Sequence, residues 1–295
     1  MSTVLTRSVW MPWVALAFSS VALAQAPQSA QMPHRLIVTD VDDTVKLTDN
    51  THTIDSAIRA AFSRKAFAGI STLFKELQSR SEPSGLFEHS TLYFVSGGPR
   101  MLHQAVVQMI SENSFPSPWV LSLRNLSQSV PEFKIQKISQ IVDEVPSEDA
   151  VILFGDDGEK DPETYAELLK KYPDRIDSVY IHRITGRKLP AGEVGYDTPM
   201  DVAILEMEKG NLKADQAIRV GKAVLAESAK DDERLVILYN YCPTSFESKT
   251  QKNLSAAKPD EIEAYSLLSQ IQNRMKKVCE ERREDEARRR ERSDS

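Results

Sequence analysis

Short apolar runs alternate with longer amphipathic segments over the first two thirds of this 295-residue chain. The runs have the length and residue content of strands, and polar or turn-forming residues bound them. The predicted strands are Arg35 to Val38, Thr91 to Val95, Trp119 to Leu123, Ala150 to Phe154 and Ser178 to Ile184. The predicted helices between them are Ile54 to Arg80, Pro99 to Asn113, Glu132 to Val145 and Asp161 to Lys171. Apolar strands that alternate with helices are typical of a parallel sheet covered on both faces, so we predict an α/β fold with a doubly wound sheet.

The alternation stops after Tyr196, and helical patterns follow. They cover Met200 to Lys209, Lys213 to Lys230 and Asp260 to Arg290. The run LVILYNYC, Leu235 to Cys242, is too short and too uniformly apolar to assign by periodicity. We predict a helical extension over residues 212–295. Its highly charged end is expected to be a solvated helix or a disordered tail, with contact to anionic lipid as the alternative.

The first residues have the pattern of a secretory signal peptide. Arg7 precedes the apolar stretch Val9 to Ala24, which ends in small residues before Gln25. An uncleaved membrane anchor is the alternative, but the apolar stretch is short and contains Pro12. We therefore predict cleavage after Ala24, a linker over residues 25–33, and a secreted or periplasmic protein.

Composition narrows the choice of partners and compartment. With 41% hydrophobic residues the chain can bury a sizeable core, and its net charge of −6 argues against nucleic acid as the main partner. Cys242 and Cys279 are its two cysteines, and in an exported protein we expect them to form a disulfide. Two buried free thiols are the alternative. The sequence does not indicate an oligomeric state.

Polar residues follow three of the predicted strands at the point where each strand ends. Asp40 and Asp42 follow the first strand, Ser96 to Pro99 the second, and the stretch GDDGEKDP, Gly155 to Pro162, the fourth. In doubly wound sheets ligands bind outside the carboxyl ends of the strands. We therefore expect a functional site at this edge.

Four aspartates of this edge, Asp40, Asp42, Asp156 and Asp161, need a neutralising partner. Two carboxylates about 4 Å apart repel by about 4 kcal/mol at an effective dielectric near 20. One must take up a proton unless a cation lies between them. Oxygen ligands without His or Cys favour a hard cation, and nearby lysines suit an anionic substrate, so the pattern predicts Mg²⁺.

The motifs DVDDT, YFVSGGP, EFKIQKI and GDDGEKD together resemble the haloacid dehalogenase superfamily of aspartate-nucleophile phosphohydrolases. The likeness through DDTVK, FVSGGP and GDDGEKDPETY is greater to its phosphatidate phosphatase branch of the actin-patch type. It covers His34 to Asn211, so it implies a Rossmann-like phosphatase domain over residues 34–211. It also implies an enzyme that hydrolyses phosphomonoesters with Mg²⁺.

The resemblance assigns a role to each residue of the first two motifs. Asp40 is implied to be the nucleophile that forms an aspartyl phosphate, and Asp42 the general acid and base. Thr44 is expected to orient Asp40. Ser96 is expected to hydrogen-bond the phosphoryl group, helped by the backbone N–H groups of Gly97 and Gly98.

The other two motifs supply a cation and metal ligands. Lys134 is implied to neutralise the phosphate, with Lys137, one helical turn further, as the fallback. Asp156 and Asp161 are implied to bind Mg²⁺ together with Asp40 and the main-chain carbonyl of Asp42. Outside these roles, Asp157 and Lys160 are expected to form exposed ion pairs.

The substrate is less well determined than the chemistry. The stretches 46–91 and 100–132 are too short for a sizeable cap, so we expect an open site, which suits a phosphomonoester such as phosphatidate at a membrane surface. Arg100 stands where the family has an aromatic residue, and it is expected to hold an anionic group or to cap a helix. The alternatives are a broad-specificity phosphomonoesterase, a signalling receiver module, and an exported binding protein without turnover.

Overall fold

Residues 35–48, 63–79, 91–147, 149–235, 242–243 and 257–293 are described in the computed structural model. The predicted signal peptide over residues 1–24 and linker over residues 25–33 lie outside the described residues, as does most of the unassigned run LVILYNYC. Residues 49–62 and 80–90 also lie outside them, so the expectation of little or no cap stays a prediction. Pro33–Ser295 forms one compact unit.

A six-stranded sheet forms the centre of this unit, and every neighbouring pair of strands in it is parallel. The strands are β1 Arg35–Thr39, β2 Leu92–Pro99, β3 Trp119–Arg124, β4 Ala150–Asp156, β5 Ile176–His182 and β6 Glu193–Tyr196. Their order across the sheet is β3-β2-β1-β4-β5-β6. The direction of strand addition reverses at β1. The chain first adds β2 and β3 on one side of β1, and then returns to add β4, β5 and β6 on the other side. This topology confirms the predicted α/β fold with a doubly wound parallel sheet.

Helices cover both faces of the sheet. They are α1 Ile70–Gln78, α2 His103–Glu112, α3 Val130–Glu144, α4 Asp161–Lys171, α5 Pro199–Glu208, α6 Ala214–Lys230 and α7 Ile262–Ser293. Successive strand residues point to opposite faces. In β1, Leu36 and Val38 therefore pack in one core with α3 and α4, while Ile37 packs in the other with the remaining helices.

Three elements differ from the sequence predictions. Strand β6 was not predicted, because its four residues, EVGY, are too few to show a period, and pairing with β5 defines it. Within the helix predicted over Ile54 to Arg80, the structure describes residues 63–79, of which residues 63–69 are not helical; α1 begins at Ile70, after Gly69 at a φ of 79°. The helix predicted to begin at Pro99 begins at His103, because Pro99 is still paired in β2 and a 3₁₀ turn, Arg100–Leu102, follows it.

The C-terminal helices pack into the same core as the sheet-covering helices. Val220 and Val224 of α6 are buried together with Phe74 of α1, Met200 of α5 and Ile271 of α7. The charged end of the chain is helical as far as Ser293. Among the described residues, no helix combines the length and the hydropathy that crossing a membrane requires. The boundary at residue 211 stays a prediction.

A disulfide joins Cys242 to Cys279 of α7, with Cα atoms 5.9 Å apart. This confirms the expected bridge and excludes the free-thiol alternative. The bridge closes a loop across 37 residues of sequence. Closing a loop of this length restricts the unfolded chain and stabilises a protein by about 2–4 kcal/mol.

We expect reduction of this disulfide to lower the midpoint of denaturant unfolding by an amount equivalent to about 2–4 kcal/mol. The measurement is equilibrium unfolding in guanidinium chloride with and without a thiol reductant. The control is the double variant Cys242→Ala/Cys279→Ala, whose midpoint should be low and insensitive to reductant. An unchanged midpoint after complete reduction would contradict a stabilising role of the bridge.

Glu193, at the start of β6, is a half-buried acid whose carboxylate has no hydrogen-bond partner among the described residues. Both of its carboxylate oxygens are shielded from solvent, and neither accepts a hydrogen bond from another described residue. Burial and the nearby carboxylate of Glu163 raise the pKa of Glu193 to about 8, against a smaller opposing effect of Arg187. The folded protein therefore holds a proton there at neutral pH that the unfolded chain has lost.

We expect the melting temperature to fall as pH rises from about 5 towards 8, because ionisation of Glu193 then disfavours the folded state. Glu193→Gln removes this ionisation, so its melting temperature should decline less over the same range. Thermal unfolding at pH 5 and pH 9 tests this. Glu167→Gln, which changes an exposed acid on α4, serves as the control. If the melting temperature of Glu193→Gln declined with pH as much as that of the wild type, the ionisation of Glu193 would not be the cause.

Candidate active site

Three adjacent strands, β2, β1 and β4, end at the same edge of the sheet and carry the predicted motifs. Asp40 follows β1 directly, and its N–H still donates to the carbonyl of Phe154 in β4 at 2.9 Å. This bond extends the ladder by one residue and places Asp40 beside the end of β4. Asp40 is 4% exposed, so its carboxylate lies at the floor of the site.

Lys134 lies between two of the aspartates. Its Nζ is 2.8 Å from Asp40 Oδ1 and donates a short hydrogen bond to Asp161 Oδ1. A capping box between Ser129 and Glu132 sets the start of α3 and so helps to define the face on which Lys134 lies. Lys137, one turn further, hydrogen-bonds Gln140 near solvent. The structure therefore brings Lys134 to the aspartates and leaves Lys137 away from them.

Asp156 and Asp161 complete the floor. Asp156 ends β4, and its Oδ1 accepts from the N–H groups of Gly158 at 2.7 Å and Glu159 at 3.3 Å. Asp161 begins α4, where the helix dipole favours a carboxylate. Gly155 makes room for it, since a Cβ there would lie 2.7 Å from Asp161 Oδ2. This Oδ2 is buried and has no hydrogen-bond partner among the described residues.

Several buried carboxylates surround the single ammonium group of Lys134 at the floor of the site, and they shift one another's pKa values. Burial raises the pKa of Asp40 well above its usual value, Lys134 opposes this, and Asp161 and Asp156 add to it. Burial and Asp161 raise the pKa of Asp156 in the same way. Burial disfavours the charged form of Lys134, but Asp161 and Asp40 outweigh it and hold its pKa well above the ordinary value.

The acids of the floor fit a metal ion. One carboxylate oxygen each of Asp40, Asp156 and Asp161 lies within 4.8 Å of the others, and all three residues are buried. The unpartnered Asp161 Oδ2 is the kind of buried acceptor that a cation would satisfy. Because the group consists of oxygen donors, it suits a hard divalent cation better than a transition metal.

Asp42 lies at the mouth of the site, and the buried Ser96 lies close to it. The side chain of Asp42 is 26% exposed, and its Oδ1 accepts from Nζ of buried Lys46 at 3.1 Å. Ser96 Oγ accepts from the N–H of Gly98 at 2.9 Å. A Cβ at Gly98 would lie 3.1 Å from Ser96 Oγ and 3.8 Å from Asp42 Oδ2. Gly98 therefore lies close to the side chains of both motifs.

Gly97 lies near the end of β2, and Arg100 begins the 3₁₀ turn that follows this strand. A Cβ at Gly97 would lie 2.7 Å from Cγ1 of Val130, so the turn packs closely against the start of α3. Arg100 is exposed at the start of the 3₁₀ turn and makes no ion pair with another described residue.

One expectation about neighbouring residues was wrong, and another stays a prediction. Thr44 was expected to orient Asp40, and this stays a prediction; its hydroxyl donates a long hydrogen bond of 3.4 Å to Asp156 Oδ2. Asp157 forms no exposed pair. It is 1% exposed, and its carboxylate accepts from the N–H groups of the turn Ile184, Thr185 and Gly186 at 2.7–2.8 Å.

Sequence reasoning gave no specific role to His182, which ends β5. Its Nδ1 is 2.8 Å from the carbonyl oxygen of Asp43, whose φ of 54° is unusual for a residue other than glycine. Phe67 and Tyr196 enclose the imidazole, and burial lowers the pKa of His182. This histidine therefore holds the loop that follows Asp40. Its position at the carboxyl end of an apolar run was the signal that could have identified it.

Comparison with known proteins agrees with these features. Residues 35–183, about half of the chain, match the family model described as phosphatidate phosphatase APP1, catalytic domain. An uncharacterized protein of Schizosaccharomyces pombe (strain 972 / ATCC 24843) is 25% identical over 161 residues, which cover 50% of this chain and 25% of that relative. This chain therefore matches only a quarter of the relative's length.

A solved structure titled "Structure of Pnkp1/Rnl/Hen1 complex" is similar at a TM-score of 0.35 and 13% identity, over 61% of this chain and 51% of that one. Likeness at this level supports no conclusion. The family match, by contrast, spans the strands β1 to β5 and all four motifs, and it confirms the resemblance inferred from them. The chain belongs to the family of the phosphatidate phosphatase APP1 catalytic domain, a haloacid dehalogenase-like family of phosphoric monoester hydrolases.

Proposed function

We propose that this protein is an exported, Mg²⁺-dependent phosphatase that hydrolyses phosphomonoesters through an aspartyl phosphate, with phosphatidate as a substrate. The observation that carries the proposal is the depth order of the two aspartates. Asp40 lies at the floor beside Lys134, and Asp42 lies at the mouth. A nucleophile must meet phosphorus inside the site, whereas a general acid must reach the leaving oxygen towards solvent.

In the first half of the reaction, a carboxylate oxygen of Asp40 forms a bond to phosphorus while the bond from phosphorus to the alcohol oxygen breaks. Asp42 gives its proton to that oxygen. Lys134 offsets the charge of the phosphoryl oxygens and of Asp40. In the second half, Asp42 takes a proton from water, the water oxygen attacks phosphorus, and phosphate leaves Asp40 regenerated.

Asp40, Asp156 and Asp161 would hold Mg²⁺. When bound, the ion would offset negative charge at the phosphoryl group and orient it. Ser96 and the N–H group of Gly97 would bind the remaining phosphoryl oxygens, while the N–H of Gly98 donates to Ser96 Oγ and would orient that hydroxyl. Because the pKa values of Asp40 and Asp156 are raised, protons compete with the metal ion for these carboxylates. The affinity of the site for the metal ion should therefore fall as pH falls.

The test is phosphate release by the purified protein with Mg²⁺, from phosphatidate in mixed micelles and from a soluble chromogenic phosphomonoester. The proposal expects turnover of both, loss of both on chelation, and recovery on adding Mg²⁺ back. Turnover of the soluble ester alone would favour a broad-specificity phosphomonoesterase. Turnover that survives chelation would contradict the metal requirement, and no turnover of any phosphomonoester would contradict the enzyme.

Two features support the export part of the proposal. The apolar stretch Val9 to Ala24 suits a signal peptide, and the disulfide between Cys242 and Cys279 suits an oxidising compartment. The mass of the protein recovered from its native cells tests it. We expect a chain that begins at Gln25, and an intact N-terminal stretch on protein in the reducing cytosol would contradict it.

A further inference from the structure

Lys46 is a buried cation to which the proposed reaction assigns no role. It ends the motif stretch DDTVK, and it is 1% exposed. Its Nζ donates to Asp42 Oδ1 at 3.1 Å. A lysine is seldom buried unless its ammonium is paired. One partner of this ammonium is therefore the residue that we propose as the general acid.

The backbone of Lys46 holds its side chain next to Asp42. The N–H of Lys46 donates to the carbonyl of Val41 at 2.9 Å, and its carbonyl accepts from the N–H of Asp43 at 2.8 Å. Lys46 also forms an antiparallel bridge with Ala66. These contacts fold the chain back on itself after Asp42, so the position of the ammonium is set by paired backbone on both sides of it.

The two carboxylate oxygens of Asp42 have different surroundings. Oδ1 accepts from Lys46, whereas Oδ2 lies near Gly98, where a Cβ would be 3.8 Å from it and 3.1 Å from Ser96 Oγ. Ser96 belongs to the motif that we propose to bind the phosphoryl group. The oxygen that Lys46 holds therefore differs from the oxygen that lies towards the proposed position of the substrate.

We propose that Lys46 is a positioning residue, which holds Asp42 Oδ1 and thereby orients Oδ2 towards the leaving oxygen. As the bond from phosphorus to the alcohol oxygen breaks, its electron pair stays on that oxygen, which takes the proton of Asp42 Oδ2. Lys46 does not itself touch the substrate, because its side chain is shielded from solvent. The inference rests on the proposed function, since it concerns the proton transfer of that reaction.

The ion pair matters for the rate because proton transfer requires hydrogen-bond distance between donor and acceptor. The side chain of Asp42 is 26% exposed, so without the ammonium it would exchange between rotamers. A displacement of about 1 Å at a reacting group can cost about 10²-fold in rate.

The test compares two soluble substrates that differ in their need for a proton. Phenyl phosphate releases a basic oxygen that needs an acid, whereas dinitrophenyl phosphate releases a weakly basic oxygen that departs without one. In Lys46→Met, kcat/KM for phenyl phosphate should fall at least about tenfold, and that for dinitrophenyl phosphate less than about twofold. The kcat/KM value covers the steps up to departure of the alcohol, so hydrolysis of the aspartyl phosphate does not enter it.

Lys65→Met is the matched control, because it makes the same change in the segment that pairs with the chain after Lys46. The side chain of Lys65 is 48% exposed and pairs with Asp231 and Glu233 at 2.6–2.9 Å. Its loss should leave both kcat/KM values as in the wild type. Lys46→Gln is the second variant, because its amide can still donate to Asp42, and the ratio of the two values should fall there as well, but by less.

A double variant separates positioning from an independent effect. In Asp42→Asn the donor is already lost, so adding Lys46→Met should lower kcat/KM for phenyl phosphate no further. A further fall as large as that in Lys46→Met alone would contradict a role that acts through Asp42.

Two outcomes distinguish this inference from the proposed function. Equal slowing on the two esters, or an unchanged ratio in whichever Lys46 variant is folded by its melting transition, would overturn the positioning role while the enzyme stands. A wild type that hydrolyses neither ester would contradict the proposed function itself, and with it the inference.

Discussion

Replacing Asp40 with Asn is expected to lower phosphatase activity by about 10⁴-fold or more while the chain remains folded. The amide has nearly the shape of the carboxylate, but it cannot form the bond to phosphorus that starts the reaction. The fold should tolerate the change. Burial and the carboxylates of Asp161 and Asp156 already disfavour the charged form of Asp40, so a neutral side chain relieves repulsion. The melting temperature measured without metal should be equal to or above that of the wild type.

Two further measurements sharpen this prediction. Asp174→Asn is the matched control, because Asp174 is an exposed acid in the loop before β5, at the opposite edge of the sheet, and its loss should leave turnover unchanged. In rapid-quench experiments the wild type should carry a hydroxylamine-sensitive phosphoryl group on Asp40, and Asp40→Asn should carry none. Substantial turnover in a folded Asp40→Asn protein would exclude the aspartyl phosphate.

Replacing Lys134 with Met is expected to lower both activity and stability. The ammonium is 2.8 Å from Asp40 and also bonds Asp161, and all three side chains are buried. Removing one partner of a buried ion pair leaves an uncompensated charge, which costs about 3–5 kcal/mol. In a chain of this size that lowers the melting temperature by about 6–20 °C. The loss of charge stabilisation at phosphorus should reduce kcat by about 10²–10³-fold.

Lys137→Met tests the same change of side chain one helical turn away. Lys137 lies near solvent beside Gln140, so its loss should change stability by no more than about 0.5 kcal/mol and leave turnover intact. Thermal unfolding with and without Mg²⁺ gives a second readout, since a cation among the acids should restore part of the stability that Lys134→Met loses. Lost activity in Lys137→Met with retained activity in Lys134→Met would reverse the assignment.

The strands and the placement of the motifs were predictable because they depend on local patterns. Apolar runs of four to seven residues separated by helices define a doubly wound sheet, and in such a sheet the ends of neighbouring strands meet. The sequence therefore predicts Asp40, Ser96 and Asp156 at one edge of the sheet, and the structure places them there. Strand β6 was not predicted, because its four residues, which include a glycine, are too few to show a hydrophobic period.

The details of the site were not predictable, because they depend on contacts between residues distant in sequence. Whether Lys134 or Lys137 meets Asp40 depends on the rotation of α3 over the sheet, which the packing of two layers determines. The burial of Asp157 depends on a turn that begins at Ile184, 27 residues later, and whose N–H groups donate to the Asp157 carboxylate. Thr44 reaches Asp156, 112 positions away, only because β1 and β4 are neighbours.

The local pattern of apolar and polar residues along this chain thus established its strands, most of its helices and the kind of chemistry to expect. The three-dimensional packing alone established which acids share the lysine and which carboxylate oxygen is left without a partner among the described residues. The reason is that a hydrophobic period reports which face of an element is buried, whereas burial, charge pairing and exposure at a site are properties of several elements in contact.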